Sequence, residues 1–139
     1  MISKKAVYLV LLLGACTSAS NPNDGTELSR TKSPDGLVEA ILYRHEGGGA
    51  TVGFSYSIYL ARTGMFPNEY SEVFLATHPE DLTITWRENK FLKIGFTHAE
   101  IYSFTNFWYS NRLGHHDYFV ELRLIVPDTI YAIKQLYQF

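Results

Sequence analysis

Five stretches of the chain alternate between apolar and polar residues, and this alternation limits the fold more than any other feature. Their apolar positions are Val38/Ala40/Leu42, Phe54/Tyr56/Ile58/Leu60, Leu82/Ile84/Trp86, Leu92/Ile94/Phe96 and Tyr118/Val120/Leu122/Leu124/Val126. Because successive side chains of a strand point to opposite faces, a period of two predicts strands with one buried face. No comparable stretch shows a clean helical period. The alternation therefore predicts an all-β protein.

Turn-forming residues separate these stretches. Ser33-Pro34-Asp35-Gly36 fits a type I turn, and Glu88-Asn89 lies where two strands would meet in a tight hairpin, since Asn tolerates positive φ. Seven or eight strands in about 110 residues predict a single antiparallel β-sandwich or a small barrel-like domain. Residues 129–139 fit either a last strand or a short helix.

A glycine-rich run, Gly47-Gly48-Gly49-Ala50-Thr51-Val52-Gly53, lies between two of the strand patterns. Glycine triplets can hold phosphate between a strand and a helix, but the Gly-Lys-Ser/Thr ending is missing and a strand follows. The run therefore favours a hairpin loop or bulge. We expect Gly49 or Gly53 to adopt a backbone conformation that other residues avoid.

The N-terminus has the layout of an export signal. Lys4-Lys5 precede an apolar run over residues 6–13, and small residues lead to Cys16, the only cysteine. The run is far shorter than the roughly 20 residues of a membrane-spanning helix. An ordinary signal peptide with a chance cysteine, or a buried N-terminal helix, would give a similar pattern.

Leu13-Gly14-Ala15-Cys16 resembles the lipobox of bacterial lipoproteins. The resemblance implies that a diacylglyceryl group is joined to the Cys16 thiol and that the signal is cut just before it. The predicted divisions are a signal peptide at 1–15, a lipidated flexible tether at 16–26 and a β-rich globular domain at 27–139. In lipoproteins an Asp after the cysteine commonly retains the product in the inner membrane. Thr17 stands there instead, which favours the outer membrane, facing the periplasm, in a Gram-negative cell.

Charge argues against nucleic acid as a partner, and cysteine content excludes a stabilising disulfide bond. The formal charge is −2, and it becomes −4 once Lys4 and Lys5 leave with the signal. A mildly acidic chain gives no reason to expect nucleic acid, which needs a basic surface. With Cys16 acylated, no disulfide can form, so the fold must rest on its hydrophobic core.

Two short motifs resemble a family. The chain resembles small uncharacterised bacterial exported proteins and lipoproteins with an SPDG…GAT-x-GF pattern. The matching residues are Ser33-Pro34-Asp35-Gly36, then a strand, then Gly49-Ala50-Thr51-Val52-Gly53-Phe54. The likeness covers roughly residues 31–96, and Gly48 stands where a cysteine is frequent in that group. The resemblance implies no activity and no catalytic residue. The SPDG turn and the strand ending at Trp86 also look like one blade of a β-propeller, and a single blade cannot close a ring.

Signatures of catalysis are missing from the sequence. There is no Gly-x-Ser-x-Gly motif, and His98-Ala99-Glu100 is not the zinc-binding His-Glu-x-x-His arrangement. His115-His116-Asp117 fits a solvated loop better than a metal site. We expect no enzyme, no cofactor and no metal, although a carboxylate pair of the glycosidase type is possible in principle.

The densest aromatic stretch contains the best candidates for a partner surface. These candidates are Tyr102, Phe107, Trp108, Tyr109 and Arg112. Exposed aromatics and arginine are typical of surfaces that bind proteins or glycans. Strand residues divided between core and rim would give the same pattern. The sequence favours a non-enzymatic binding module in the bacterial cell envelope, with an immunity or inhibitor protein against a toxin or hydrolase as the alternative.

Overall fold

The computed structural model describes residues 25–47, 53–68, 71–113 and 118–126. These ranges contain no α-helix. Their strands are β1 (Thr26–Lys32), β2 (Val38–His45), β3 (Ser55–Arg62), β4 (Glu72–Glu80), β5 (Thr83–Glu88), β6 (Phe91–Gly95), β7 (His98–Phe104), β8 (Phe107–Ser110) and β9 (Tyr118–Ile125). The predicted all-β class is confirmed.

The strands form two sheets that pack face to face. Sheet A has the order β1-β2-β3-β4-β7, and sheet B has the order β5-β6-β9-β8. Both sheets keep open edges over the described residues, so of the two predicted architectures the sandwich is confirmed. One pair departs from the antiparallel prediction: β6 and β9 run parallel, with Leu92 opposite Leu122 and Ile94 opposite Leu124. The chain crosses to sheet A as β7 and returns as β8 before it forms β9.

The main core lies between the sheets and is built mostly from the inward positions of the alternating stretches, with Val73, Phe74 and Ala76 of β4 added. A second, smaller buried cluster consists of Ile41, Tyr43, Tyr59 and Ala61, so β2 and β3 are buried on both faces and not on one as predicted. The aliphatic members from the alternating stretches that are at most 1% exposed are Val38, Ala40, Ile58, Leu60, Leu92, Ile94, Val120 and Leu122. Burying each larger aliphatic side chain contributes about 1.5–3 kcal/mol, which explains why these strands form without a disulfide. Phe54 is the exception among the predicted inward residues. It precedes β3 and is 46% exposed. The Arg44 guanidinium lies over the Phe54 ring, with Cζ 4.8 Å from the ring centre.

Bulges explain strands that alternation did not reveal. In β4, consecutive residues Val73 and Phe74 are both buried, because the register against β3 shifts at this point. A second shift in β4, between Thr77 and Glu80, contains Pro79. Each extra residue reverses the order of inward and outward side chains, so the period of two is lost. Strand β1 begins at Thr26, the last residue of the predicted tether, and is mostly exposed at the edge of sheet A.

The predicted Ser33–Gly36 turn is confirmed. The Gly36 amide donates to the Ser33 carbonyl at 2.8 Å, and Gly36 has φ +74°. The turn also joins the two sheets, because the Tyr118 hydroxyl of β9 donates to Asp35 Oδ2 at 2.6 Å. Close by, Trp86 Nε1 of β5 donates to the Thr31 carbonyl of β1 at 2.8 Å. The SPDG and Trp86 motifs therefore have a structural role.

One conformational prediction needs correction, and another is tested only in part. The β5–β6 hairpin forms, but its two-residue turn is Asn89-Lys90 and not Glu88-Asn89, because Glu88 still pairs with Phe91. The positive-φ residues other than glycine in the described chain are His78 and Asp81, so Asn89 does not use that conformation. The glycine-run prediction named Gly49 or Gly53: Gly53 has no positive φ, and Gly49 lies outside the described residues. A Cβ at Gly53 would instead lie 3.0 Å from His78 Nε2.

Several predictions fall on residues outside the described ranges. They concern the signal peptide, Cys16 and most of the tether, as well as Gly49, the His115–Asp117 group and the tail at 129–139.

Candidate functional site

A cleft of about 420 Å³ opens at one end of the sandwich. Its described lining comes from two places: the end of β3 with the β3–β4 loop (residues 60–62 and 65–68, with Ser71), and β8 with the turn after it (residues 108–112). We refer to this feature as the end cleft. Its volume lies within the roughly 300–1,000 Å³ that is usual for small-molecule sites.

The β3–β4 loop is held against sheet A by one buried carboxylate. Glu39 is 8% exposed, and its Oε2 accepts bonds from the Gly64 amide at 3.1 Å and from Arg30 Nη1 at 2.9 Å. Arg30 Nη1 also lies 3.3 Å from the Met65 carbonyl oxygen. Gly64 has φ +78°, a conformation that side chains with a Cβ rarely adopt. The loop wall of the cleft is therefore fixed by Glu39, Arg30 and a glycine turn.

Glu39 is charged despite its burial. Burial raises the pKa of its carboxyl, but the Gly64 amide bond and the Arg30 guanidinium together hold that pKa below its ordinary value. The pKa of Arg30 is raised, and the hydrogen bond to Glu27 is the largest cause. Burial lowers this pKa, and the hydrogen bond to Glu39 raises it further. The three charges form one network on the outer face of sheet A.

The far end of the loop closes on itself at the rim. The Ser71 hydroxyl donates to the Asn68 carbonyl at 2.7 Å, and the Asn68 amide lies 3.0 Å from Ser71 Oγ. Between these fixed ends, Met65 and Phe66 are 52% and 66% exposed. Large apolar side chains that stay in water on an anchored loop indicate a surface for contact with another molecule.

Strand β8 supplies the opposite wall. Trp108 points inward and packs on the core, while Tyr109 is 57% exposed. After the strand, the Arg112 amide donates to Ser110 Oγ at 3.2 Å, which fixes the turn that carries Asn111 and Arg112. Both of these side chains are exposed.

The described lining of the end cleft is cationic. It contains Arg62 and Arg112 and no acidic residue, although the chain as a whole carries a formal charge of −2. Neither arginine forms a salt bridge with another described residue. The cleft thus presents two guanidinium groups beside the aromatic side chains of Phe66 and Trp108, while the Tyr109 side chain lies on the other face of β8, as Phe107 does.

The structure divides the sequence-predicted residues among three places. Trp108, Tyr109 and Arg112 line the end cleft. Phe107 lies on the outer face of sheet B, edge-on to Phe119 with ring centres 6.4 Å apart. Tyr102 is on β7 at the edge of sheet A, at the register shift against β4, and is 66% exposed. Neither Phe107 nor Tyr102 is part of the cleft lining.

Sequence reasoning missed the β3 and loop side of the cleft, above all Arg62 at the end of β3 and Phe66 in the loop. A signal was present: Met65-Phe66 places two large apolar residues in a turn-forming stretch between Thr63-Gly64 and Pro67-Asn68. Apolar residues in a turn have no strand face to fill. Their natural roles are therefore to cover the core or to meet a partner.

The groups that line the cleft suit binding. They are guanidinium, carboxamide and hydroxyl groups and aromatic faces, which attract anions, polar groups and flat apolar surfaces. Among the residues that the structure describes, no three His, Cys, Asp or Glu side chains come together as a metal site would require. Nothing helical in the described ranges has the length and apolar character of a membrane span.

Fold and cleft together define an all-β sandwich domain with a cation-bearing, aromatic cleft at one end. Comparisons of the chain with protein-family models, with curated proteins and with solved structures find no match.

Proposed function

We propose that the protein is a bacterial lipoprotein whose β-sandwich is a non-enzymatic binding module of the cell envelope. The observation that carries the binding role is the end cleft. It joins three residues singled out from the sequence, Trp108, Tyr109 and Arg112, to Arg62 at the end of β3 and to Phe66 of the loop that follows. Exposed aromatics and arginine are the residue types that dominate binding surfaces.

Anchoring at Cys16 would keep this module at a membrane. The lipobox resemblance supports the anchor, and two or more acyl chains hold a protein stably where one chain does not. Strand β1 begins at Thr26, so nine residues separate the anchor from the sandwich. A polar chain of that length spans on the order of 15–20 Å, which leaves the cleft free to meet an envelope component. In a Gram-negative cell, Thr17 favours the outer membrane, facing the periplasm.

The anchor is tested by metabolic labelling with a fatty acid. The wild-type chain should carry label and migrate as the processed form, and Cys16→Ser should remain an unlabelled precursor. Thr17→Ser, next to the cysteine, is the matched control and should be labelled as wild type. Label that persists in Cys16→Ser would refute the anchor.

The binding role is tested by affinity capture from detergent-solubilised envelope with the acylated protein as bait. Arg112→Glu reverses a charge in the cleft, and Arg87→Glu makes the same change at an exposed site of β5 outside it. We expect Arg112→Glu to lose components that wild type and Arg87→Glu both retain. If all three baits retain the same components, the cleft is not the binding site. A toxin or a hydrolase among the cleft-dependent components would support the immunity or inhibitor alternative.

A further inference from the structure

We infer that the end cleft binds an anionic saccharide, a sugar chain that carries carboxylate or phosphate groups. The inference rests on the proposed function, because it takes the same cleft as the binding site and adds the chemical class of its ligand.

The charge of the cleft is the first reason. Arg30, elsewhere in the protein, is held by Glu27 and Glu39, with N–O distances of 2.6 and 2.9 Å. Arg62 and Arg112, by contrast, are exposed and have no acidic partner among the described residues. A guanidinium group offers a planar fork of donors that matches the two oxygens of a carboxylate or phosphate. Two such groups in one cleft indicate a ligand with negative charge.

The aromatic side chains are the second reason. Phe66 is largely exposed, and Trp108 is half-buried at the same cleft. One face of a pyranose ring is made of C–H groups and is apolar, so it stacks on flat aromatic rings, whereas its hydroxyls stay in water. An aromatic ring offers such a face at a low entropic cost, since it has only two side-chain torsions.

The polar groups at the rim are the third reason. The Asn111 side chain is exposed and has no hydrogen bond to another described residue. A carboxamide both donates and accepts, as neighbouring sugar hydroxyls do. Ser110 Oγ accepts the Arg112 amide at 3.2 Å and keeps its own proton for donation. The turn after β8 thus carries a cation, an amide and a hydroxyl in three consecutive residues.

Other ligand classes fit less well. An acyl chain needs an enclosed apolar cavity, and this cleft has two charged groups and an exposed rim. Nucleic acid needs a wide basic surface, which an acidic chain does not offer. A peptide that ends in a free carboxylate would use one cation and leave the second without a partner. A saccharide with repeated acidic groups uses both arginines, the aromatic faces and the rim amide.

The test measures tryptophan fluorescence of the purified acylated protein in neutral detergent micelles. One probe is tetra-galacturonate, and its methyl ester is the matched neutral ligand. Phosphorylated oligomannose and its dephosphorylated form test phosphate in the same way. We expect at least one acidic probe to bind, with about tenfold or greater loss of affinity when its charge is removed.

Variants then locate the binding. Arg112→Gln should lower the affinity for the acidic probe about tenfold and leave the affinity for the neutral probe unchanged. Arg87→Gln should change neither affinity. Phe66→Ala should lower the affinity for acidic and neutral probes alike, because it removes an aromatic face on which the sugar stacks. Phe66 is exposed, so this substitution should leave the stability of the fold nearly unchanged.

Three outcomes would overturn the inference: no binding of either acidic probe at about 10 mM, equal affinity for charged and neutral forms, or equal effects of Arg112→Gln and Arg87→Gln. Failure of the saccharides combined with cleft-dependent capture of a protein would refute the ligand class and leave the binding module intact. Failure of both experiments would refute both proposals.

Discussion

The bond between Tyr118 and Asp35 is a direct link between the two sheets, and its removal should destabilise the sandwich by a measurable amount. Tyr118 is 4% exposed, and its hydroxyl donates to Asp35 Oδ2 at 2.6 Å, with the Asn89 carbonyl oxygen 3.1 Å away. Burial raises the pKa of the Asp35 carboxyl, but hydrogen bonds from Ser33, Tyr118 and the Leu37 amide lower it below its ordinary value. For Tyr118, burial and then the bond to Asp35 raise the pKa of the phenol.

The expected cost of Tyr118→Phe follows from this geometry. A hydrogen bond to a charged group contributes about 1.5–3 kcal/mol to folding. Asp35 lies at the surface, so water can replace the lost hydroxyl at Oδ2, which places the cost near the lower limit. A loss of about 1.5 kcal/mol corresponds to a fall in Tm of roughly 4–8 °C for a domain of this size.

Denaturation followed by tryptophan fluorescence measures the effect. Tyr102→Phe is the matched control, since Tyr102 is 66% exposed, and it should change stability by less than about 0.5 kcal/mol. Because the pKa of Asp35 is lower in the folded state, its charge stabilises the protein at neutral pH, and this part is lost as the pH falls below about 4. The difference between wild type and Tyr118→Phe should therefore shrink at about pH 3. Equal effects of the two substitutions, or an effect of Tyr118→Phe that does not change with pH, would refute the reasoning.

Two further changes test the loop wall of the cleft. Gly64→Ala should cost about 1–2 kcal/mol of unfolding free energy, since Gly64 has φ +78° and open space around a Cβ, so conformational strain is the cause. Gly64→Asn should cost less in the same urea titration, because Asn adopts positive φ more readily than Ala, and the reverse order would contradict this. Glu39→Gln should lower the free energy of unfolding by about 1–3 kcal/mol, because it breaks the part-buried ion pair with Arg30. The lowered pKa of Glu39 makes the wild type lose stability below about pH 4, and the variant should lose less stability over the same pH range. Glu121→Gln, at an exposed ion pair, should cost less than about 1 kcal/mol. Equal effects of the two substitutions would contradict the role of Glu39 in holding the β3–β4 loop.

Local sequence determined the strands whose geometry is regular. All five alternating stretches form strands, because the period of two is a property of each strand by itself. The Ser33–Gly36 turn was predictable for the same reason: its proline, aspartate and glycine each fit one turn position. Where a bulge adds a residue, as at Val73, the period breaks and the strand could not be recognised.

Only the tertiary structure decided which strands are neighbours and where the cleft lies. Alternation shows which face of a strand is buried, but it does not identify the neighbouring strand, so the parallel pairing of β6 with β9 was not predictable. The aromatic stretch could not be assigned to one surface, because Phe107 and Trp108 point to opposite faces of β8. Arg62 and Arg112 are 50 residues apart in the sequence, and they line one cleft because the sandwich brings the end of β3 close to the end of β8. That approach depends on packing between the sheets, which no local pattern encodes.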